Sequence, residues 1–135
     1  MRQRFSPGVL VAIGLGGAAG TLLRVAVQRV LPPAVNGFPA DTLIVNLSGC
    51  FVLGFVVVAA LERGAPTRYL RPLIGTGFCG GLTTFSTFVV EIDLLVRAGH
   101  AAMAVLYLVV SVVAGLAVAR IGMVLARAAW SRKAA

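Results

Sequence analysis

Residues 77–88 read Gly77-Phe78-Cys79-Gly80-Gly81-Leu82-Thr83-Thr84-Phe85-Ser86-Thr87-Phe88, inside an apolar run long enough to cross a bilayer. A spanning helix keeps its backbone bonded internally, because lipid offers no partners. This run instead gathers Gly75, Gly77, Gly80 and Gly81, then Thr83, Thr84, Ser86 and Thr87. Glycines loosen a helix, and hydroxyls bring donors to a depth that has none. Interrupted backbone at membrane depth is tolerated where it is buried in protein or lines a polar path. The stretch therefore points to a conducting or transporting site rather than an anchor.

The rest of the chain fits that setting. It has 135 residues, 59% of them apolar and only 12% charged, with a mean hydropathy of +0.99. Soluble domains are nearer half apolar and a quarter charged. The expectation is one all-α membrane domain covering residues 1–135. The net charge of +8 does not indicate nucleic acid, because the basic residues flank apolar runs instead of clustering with aromatics on one face. Cys50 and Cys79 lie inside apolar runs and show no metal-ligand spacing.

Four runs have the length of a transmembrane helix: roughly 9–30, 42–61, 72–96 and 101–121. Pro32, Pro33, Asn36, Gly37 and Pro39 separate the first two, and Glu62, Arg63, Gly64 and Pro66 the next two. Arg97, Ala98, Gly99 and His100 form a tight turn before the last. Arg2 and Arg4 ahead of Ala18, Ala19 and Gly20 also fit a signal peptide, but the apolar stretch runs on past them and three more spans follow. An even number of spans puts both termini on one side. That side holds Arg2, Arg4, Arg63, Arg68, Arg71, Arg120, Arg127, Arg132 and Lys133, against Arg29 and Arg97 opposite. Nine against two places both termini in the cytoplasm of a multi-pass cell-membrane protein.

Small residues four apart mark faces where helix backbones approach: Gly16 with Gly20, Gly77 with Gly81, and Cys50 with Gly54. Gly75, Gly77 and Gly80 also match a dinucleotide fingerprint, as Gly14, Gly16 and Ala19 match its looser form. Neither has the strand, the βαβ unit or the downstream acid that the fingerprint requires. With one histidine (His100, in a turn) and four acids, no nucleophile–base set can be assembled, so the chain is not expected to be an enzyme.

Polar groups at membrane depth are costly and mark function. Arg24, late in the first span, either snorkels or holds a network at a vestibule. Asn46 serves as interhelical glue or as an amide donor to an anion. Glu91 shares a helix face with Phe88 and is the one candidate for proton coupling. Phe85 and Phe88 share a face too, and their ring edges carry partial positive charge. Beside Thr84, Thr87 and Asn46 they could hold a small anion weakly enough to release it. Tyr107 and Ser111 stand one turn apart on the fourth span.

The chain resembles the CrcB/Fluc family of fluoride channels along essentially its whole length. The resemblance rests on Gly16-Gly17-Ala18-Ala19-Gly20-Thr21-Leu22-Leu23-Arg24, on Thr42-Leu43-Ile44-Val45-Asn46-Leu47-Ser48-Gly49 and on residues 77–88. It implies passive fluoride export through an antiparallel dimer with two pores, the third helix being broken at its Gly/Thr-rich centre. It also implies a structural sodium ion at the dimer centre, held by the carbonyls of Gly80 and Thr83. Asn46, Phe85 and Phe88 would line the pore, with Thr84, Thr87, Tyr107 and Ser111 along the path and Arg24 and Glu91 in vestibular or structural roles. Two features depart from the family pattern. Gly115 stands where a polar track often continues beyond Ser111, and the charge bias is strong for a family whose members insert in both orientations. The second departure suggests an oppositely oriented paralogue as partner, in place of a second copy. The alternative reading is a four-helix proton-coupled exporter of cationic drugs.

Overall fold

The computed structural model describes residues 6–31, 37–61 and 67–131, and these are helical apart from short connections. Helix α1 is Pro7–Val30 and α2 is Ala40–Leu61. Helix α3 occupies residues 67–82 in three pieces: an α turn Thr67–Arg71, a wide π segment Pro72–Cys79 and a closing α turn Gly80–Leu82. Helix α4 is Phe85–Arg97 and α5 is Ala101–Ser131. Four stretches are long and apolar enough to cross a membrane: α1, α2, residues 68–97 and α5. The Pro32, Pro33 and Asn36 connector, the one from Glu62 to Pro66, and five of the nine basic residues (Arg2, Arg4, Arg63, Arg132 and Lys133) lie outside the described residues.

Local chemistry explains the ends. Pro7 opens α1 where a missing N–H costs nothing. Helix α4 stops at Arg97, after which Gly99 adopts φ +81°. The His100 N–H then bonds the Leu95 carbonyl and the Ala98 N–H bonds that of Leu94, so the chain reverses straight into α5. Helix α5 outruns its apolar stretch by ten residues, ending at Ser131 rather than near Ile121. Its 31 residues span about 46 Å, beyond a hydrocarbon core of about 30 Å. Packing continues past the apolar count because Gly122 lies against the Phe51 carbonyl and Ala126 is fully buried.

Between α3 and α4 the helix stops for two residues. Thr83 (φ −80°, ψ 159°) and Thr84 (φ −146°, ψ 125°) are both extended. Glycine seams hold the surrounding bundle. A Cβ on Gly16 would collide with the Leu73 carbonyl, on Gly20 with that of Phe78, on Gly77 with that of Ile13 and on Gly81 with that of Gly17. The two small-residue pairs read in α1 and α3 are thus one interface, each the socket for the other's backbone. Gly54 meets the Ala119 carbonyl in the same manner, which docks α2 on α5. Close backbone approach replaces the hydrophobic drive that lipid cannot supply.

The outside of the bundle is apolar: Leu15, Leu22, Val113 and Leu116 are all exposed. The inside contains the fully buried Tyr107, Leu82, Val45, Val58 and Thr42. An apolar exterior, with the Tyr107 and Thr42 hydroxyls kept inside beside aliphatic side chains, is what a chain solvated by lipid requires.

Candidate anion pathway

Asn46 faces the extended residues from α2 and pairs with Thr84 at both ends of its amide. Its Oδ1 accepts from the Thr84 N–H at 2.8 Å, and its Nδ2 donates to the Thr84 carbonyl at 3.0 Å. One Nδ2 hydrogen remains for another acceptor. Thr84 is also the N-cap of α4. Its Oγ1 accepts from the Thr87 N–H at 3.2 Å and donates to Thr87 Oγ1 at 2.9 Å, and Ser86 Oγ lies 3.3 Å away.

These bonds release two carbonyls. In an uninterrupted helix the Thr84 N–H would close on the Gly80 carbonyl and the Thr87 N–H on that of Thr83. Here Asn46 takes the first donor and Thr84 Oγ1 the second. Arg24 does not snorkel. It turns to the interruption, its Nη1 donating to the Thr83 carbonyl at 3.4 Å. Thr83 Oγ1 donates back to the Cys79 carbonyl at 2.8 Å. Gly49 leaves the room that Thr83 occupies, since a Cβ there would meet Thr83 Cγ2.

A groove of about 480 Å³ opens beside the interruption. Asn46, Thr83, Thr84, Phe85, Phe88 and Ser111 line it, with Gly80, Cys50 and Cys79. Phe85 projects outward, 77% exposed. Its ring lies 6.0 Å from that of Phe88, which lies 5.1 Å from Tyr107, which meets Phe38 edge-on at 5.4 Å. Ser111 Oγ is sealed from solvent and has no hydrogen-bond partner. Gly115, one turn on, is buried, and a Cβ there would be in ordinary contact with Cys50 Sγ.

Of the residues singled out in the sequence, Thr87, Tyr107, Glu91 and Arg24 are not on the groove wall. Tyr107 is fully buried and donates to Glu91 Oε2 at 2.8 Å, while Thr42 donates to Glu91 Oε1 at 2.7 Å. Sequence reasoning missed Phe38 and Thr42. Nothing local marks Phe38. Thr42 had a signal: it stands at the head of the spacing 42, 46, 49, 53, a single face of α2. The site is thus a mostly apolar groove lined by Thr83, Thr84, Ser111, the Asn46 amide and the Phe85 and Phe88 rings, with no charged residue on its wall and with the Arg24 guanidinium donating to the Thr83 carbonyl.

Residues 11–123 match the family described as CrcB-like protein, Camphor Resistance (CrcB). The chain is similar to a protein of Streptomyces avermitilis named fluoride-specific ion channel FluC 3, with 42% identity over 98% of this chain; the chain spans 65% of that relative's own length. It is 42% identical to the fluoride-specific ion channel FluC of Prosthecochloris aestuarii over 97% of this chain and 100% of the relative. It is 44% identical to that of Methanocaldococcus jannaschii over 88% of this chain and 94% of the relative. With a family match across most of its length and relatives this similar, the chain belongs to the CrcB-like family.

Proposed function

We propose that this multi-pass membrane protein is a fluoride-selective channel through which cytoplasmic fluoride leaves passively, with no enzymatic step. The single observation that carries the proposal is the groove wall, where Asn46 and Ser111 stand beside the Phe85 and Phe88 rings with no charged residue among them. Fluoride is small and tightly hydrated, so a pore must replace its water with donors. Hydroxyls, a spare amide hydrogen and ring edges do this without a full positive charge, which would hold the ion too tightly to conduct it. Neutral HF crosses lipid, dissociates in the cytoplasm and is trapped as the anion. An inside-negative potential then drives exit with about 2.3 kcal/mol per charge per 100 mV. Glu91 is engaged by two hydroxyl donors, which suits a structural role better than the proton exchange a drug exporter needs.

One groove open along its side does not enclose a path. We propose that a second chain closes it, in an antiparallel dimer with two pores, the exposed Phe85 reaching across. The partner is either a second copy or an oppositely oriented paralogue, and the charge bias favours the paralogue, with both termini of this chain cytoplasmic. The interruption at Thr83–Thr84 would lie at the centre of that assembly. The Gly80 and Thr83 carbonyls lack their helical donors, Thr83 keeping only the long bond from Arg24; carbonyl oxygens suit a hard cation, and we propose that they hold a structural sodium ion. Bound there, sodium would supply a fixed positive charge between the two chains. The test is fluoride efflux from liposomes, with chloride as control, for this chain alone and with a paralogue. Fluoride flux without chloride flux is expected; substrate-coupled proton movement with no fluoride current would overturn the reading.

A further inference from the structure

The first turns of α1 and α3 lie side by side: a Cβ on Gly8 would stand 3.2 Å from the Tyr69 ring. Arg68 and Arg71 are one turn apart on α3, share a face and are both exposed. The Arg68 guanidinium carbon lies 5.3 Å from the centre of the Tyr69 ring, which is itself 46% exposed. That stacking steadies the guanidinium and leaves its N–H groups free to donate. Among the described residues neither arginine has a carboxylate partner, and the Tyr69 hydroxyl has no hydrogen-bond partner.

The opposite end of the same crossing differs. Arg97 closes the stretch 68–97 and pairs with Asp93 at 2.7 Å. The described acids Asp41, Glu91 and Asp93 all lie at that end, where Thr42 of α2 meets Glu91 of α4. Positive charge is therefore compensated at Arg97 and left open at Arg68 and Arg71.

Depth identifies what fills the open end. Arg68 begins a stretch long and apolar enough to cross a membrane, so it and Arg71 stand where acyl tails give way to head groups, a level that tyrosine also favours. Leu70 between them, and Leu10 and Val11 early in α1, present exposed apolar surface. A soluble anion could use the charge alone, whereas a phospholipid uses both the charge and the apolar surface. Guanidinium forks match phosphate oxygens in pairs.

We propose that Arg68, Tyr69 and Arg71 bind the head group of an anionic phospholipid, whose acyl chains cover Leu10, Val11 and Leu70. The site stands apart from the ion path, since none of these residues lines the groove, and its test does not use fluoride.

Native mass spectrometry of the full-length protein, delipidated in neutral detergent and titrated with phosphatidylglycerol or phosphatidylcholine, reads the binding. The wild type should retain phosphatidylglycerol at lower lipid concentrations than phosphatidylcholine. Arg68→Gln and Arg71→Gln should each weaken phosphatidylglycerol binding by about fivefold, the equivalent of about 1 kcal/mol per basic side chain at an anionic surface. Arg97→Gln should leave it unchanged. Equal retention of the two lipids by the wild type overturns the site, as does undiminished phosphatidylglycerol binding in Arg68→Gln or Arg71→Gln. A loss in Arg97→Gln as large as theirs is the mark of diffuse surface charge and overturns it too. Displacement of phosphatidylglycerol by an equal concentration of inorganic phosphate overturns the lipid assignment. Both arginines are exposed, so melting temperatures without added lipid should not move by more than a surface substitution allows. Should either variant fail to fold, the other variant and the contrast between the two lipids still decide the matter.

Discussion

Asn46 and Thr84, 38 residues apart, bond like neighbouring strands, amide to peptide, with one bond in each direction at 2.8 and 3.0 Å. A side chain of α2 thereby supplies the backbone pairing that Thr84 forfeits by leaving the helix. Removing it leaves a peptide group unpaired in a low-dielectric setting, at roughly 1–3 kcal/mol per group. Asn46→Ala should lower both stability and fluoride flux. Asn46→Asp keeps the acceptor, loses the donor and adds a negative charge to an anion path, so flux should fall further than stability. Thermal unfolding in detergent beside liposome efflux checks the split.

Ser111 offers the opposite combination. Its hydroxyl is buried and unpartnered, so Ser111→Ala should leave stability unchanged or slightly raised. If the hydroxyl solvates the passing ion, losing a hydrogen bond to a charge costs about 1.5–3 kcal/mol, and fluoride flux should drop by about tenfold or more. A variant as stable and as conductive as the parent would remove Ser111 from the path.

The α1–α3 seam predicts a sharp contrast among glycines. Gly16→Ala and Gly81→Ala each drive a methyl into a backbone carbonyl that cannot yield. Both should lower the yield of monodisperse protein severely, since overpacking costs about 1–3 kcal/mol even where side chains can adjust. A methyl added at Gly14 would have no neighbour within 4 Å. Gly14→Ala should be stabilising by about 0.5–1 kcal/mol through helix propensity. Size-exclusion profiles and melting temperatures distinguish the three.

Orientation has its own check. Single cysteines placed at each terminus of a Cys50→Ala, Cys79→Ala background should react with impermeant reagent only after the cytoplasmic face is opened. An even mixture of accessible and protected termini would favour a self-sufficient antiparallel homodimer over a paralogous pair.

The spans, the reversal at Gly99 and the small-residue faces were legible in the sequence because each is local: a run length, one left-handed glycine, a four-residue spacing. What faces what was not. Gly16 with Gly20 and Gly77 with Gly81 read as two separate faces; nothing in their spacing says that they meet. Asn46 read as an anion donor or as glue between helices, and its use as a stand-in for backbone depends on a partner distant in the chain. Arg24 left two roles open because only the packing of α1 on α3 decides whether its guanidinium reaches Thr83 or the interface.

The two extended threonines also divide the molecule mechanically. Residues 67–82 are locked by glycines to α1, whereas 85–97 rest on α5, and Asn46 of α2 grips the joint. A single rod would carry tilt or piston motion from one leaflet to the other; this crossing is interrupted, and its halves pack on different neighbours. Membrane thickness and lateral stress acting on one leaflet should therefore be absorbed at a two-residue pivot, without displacing the groups at mid-depth.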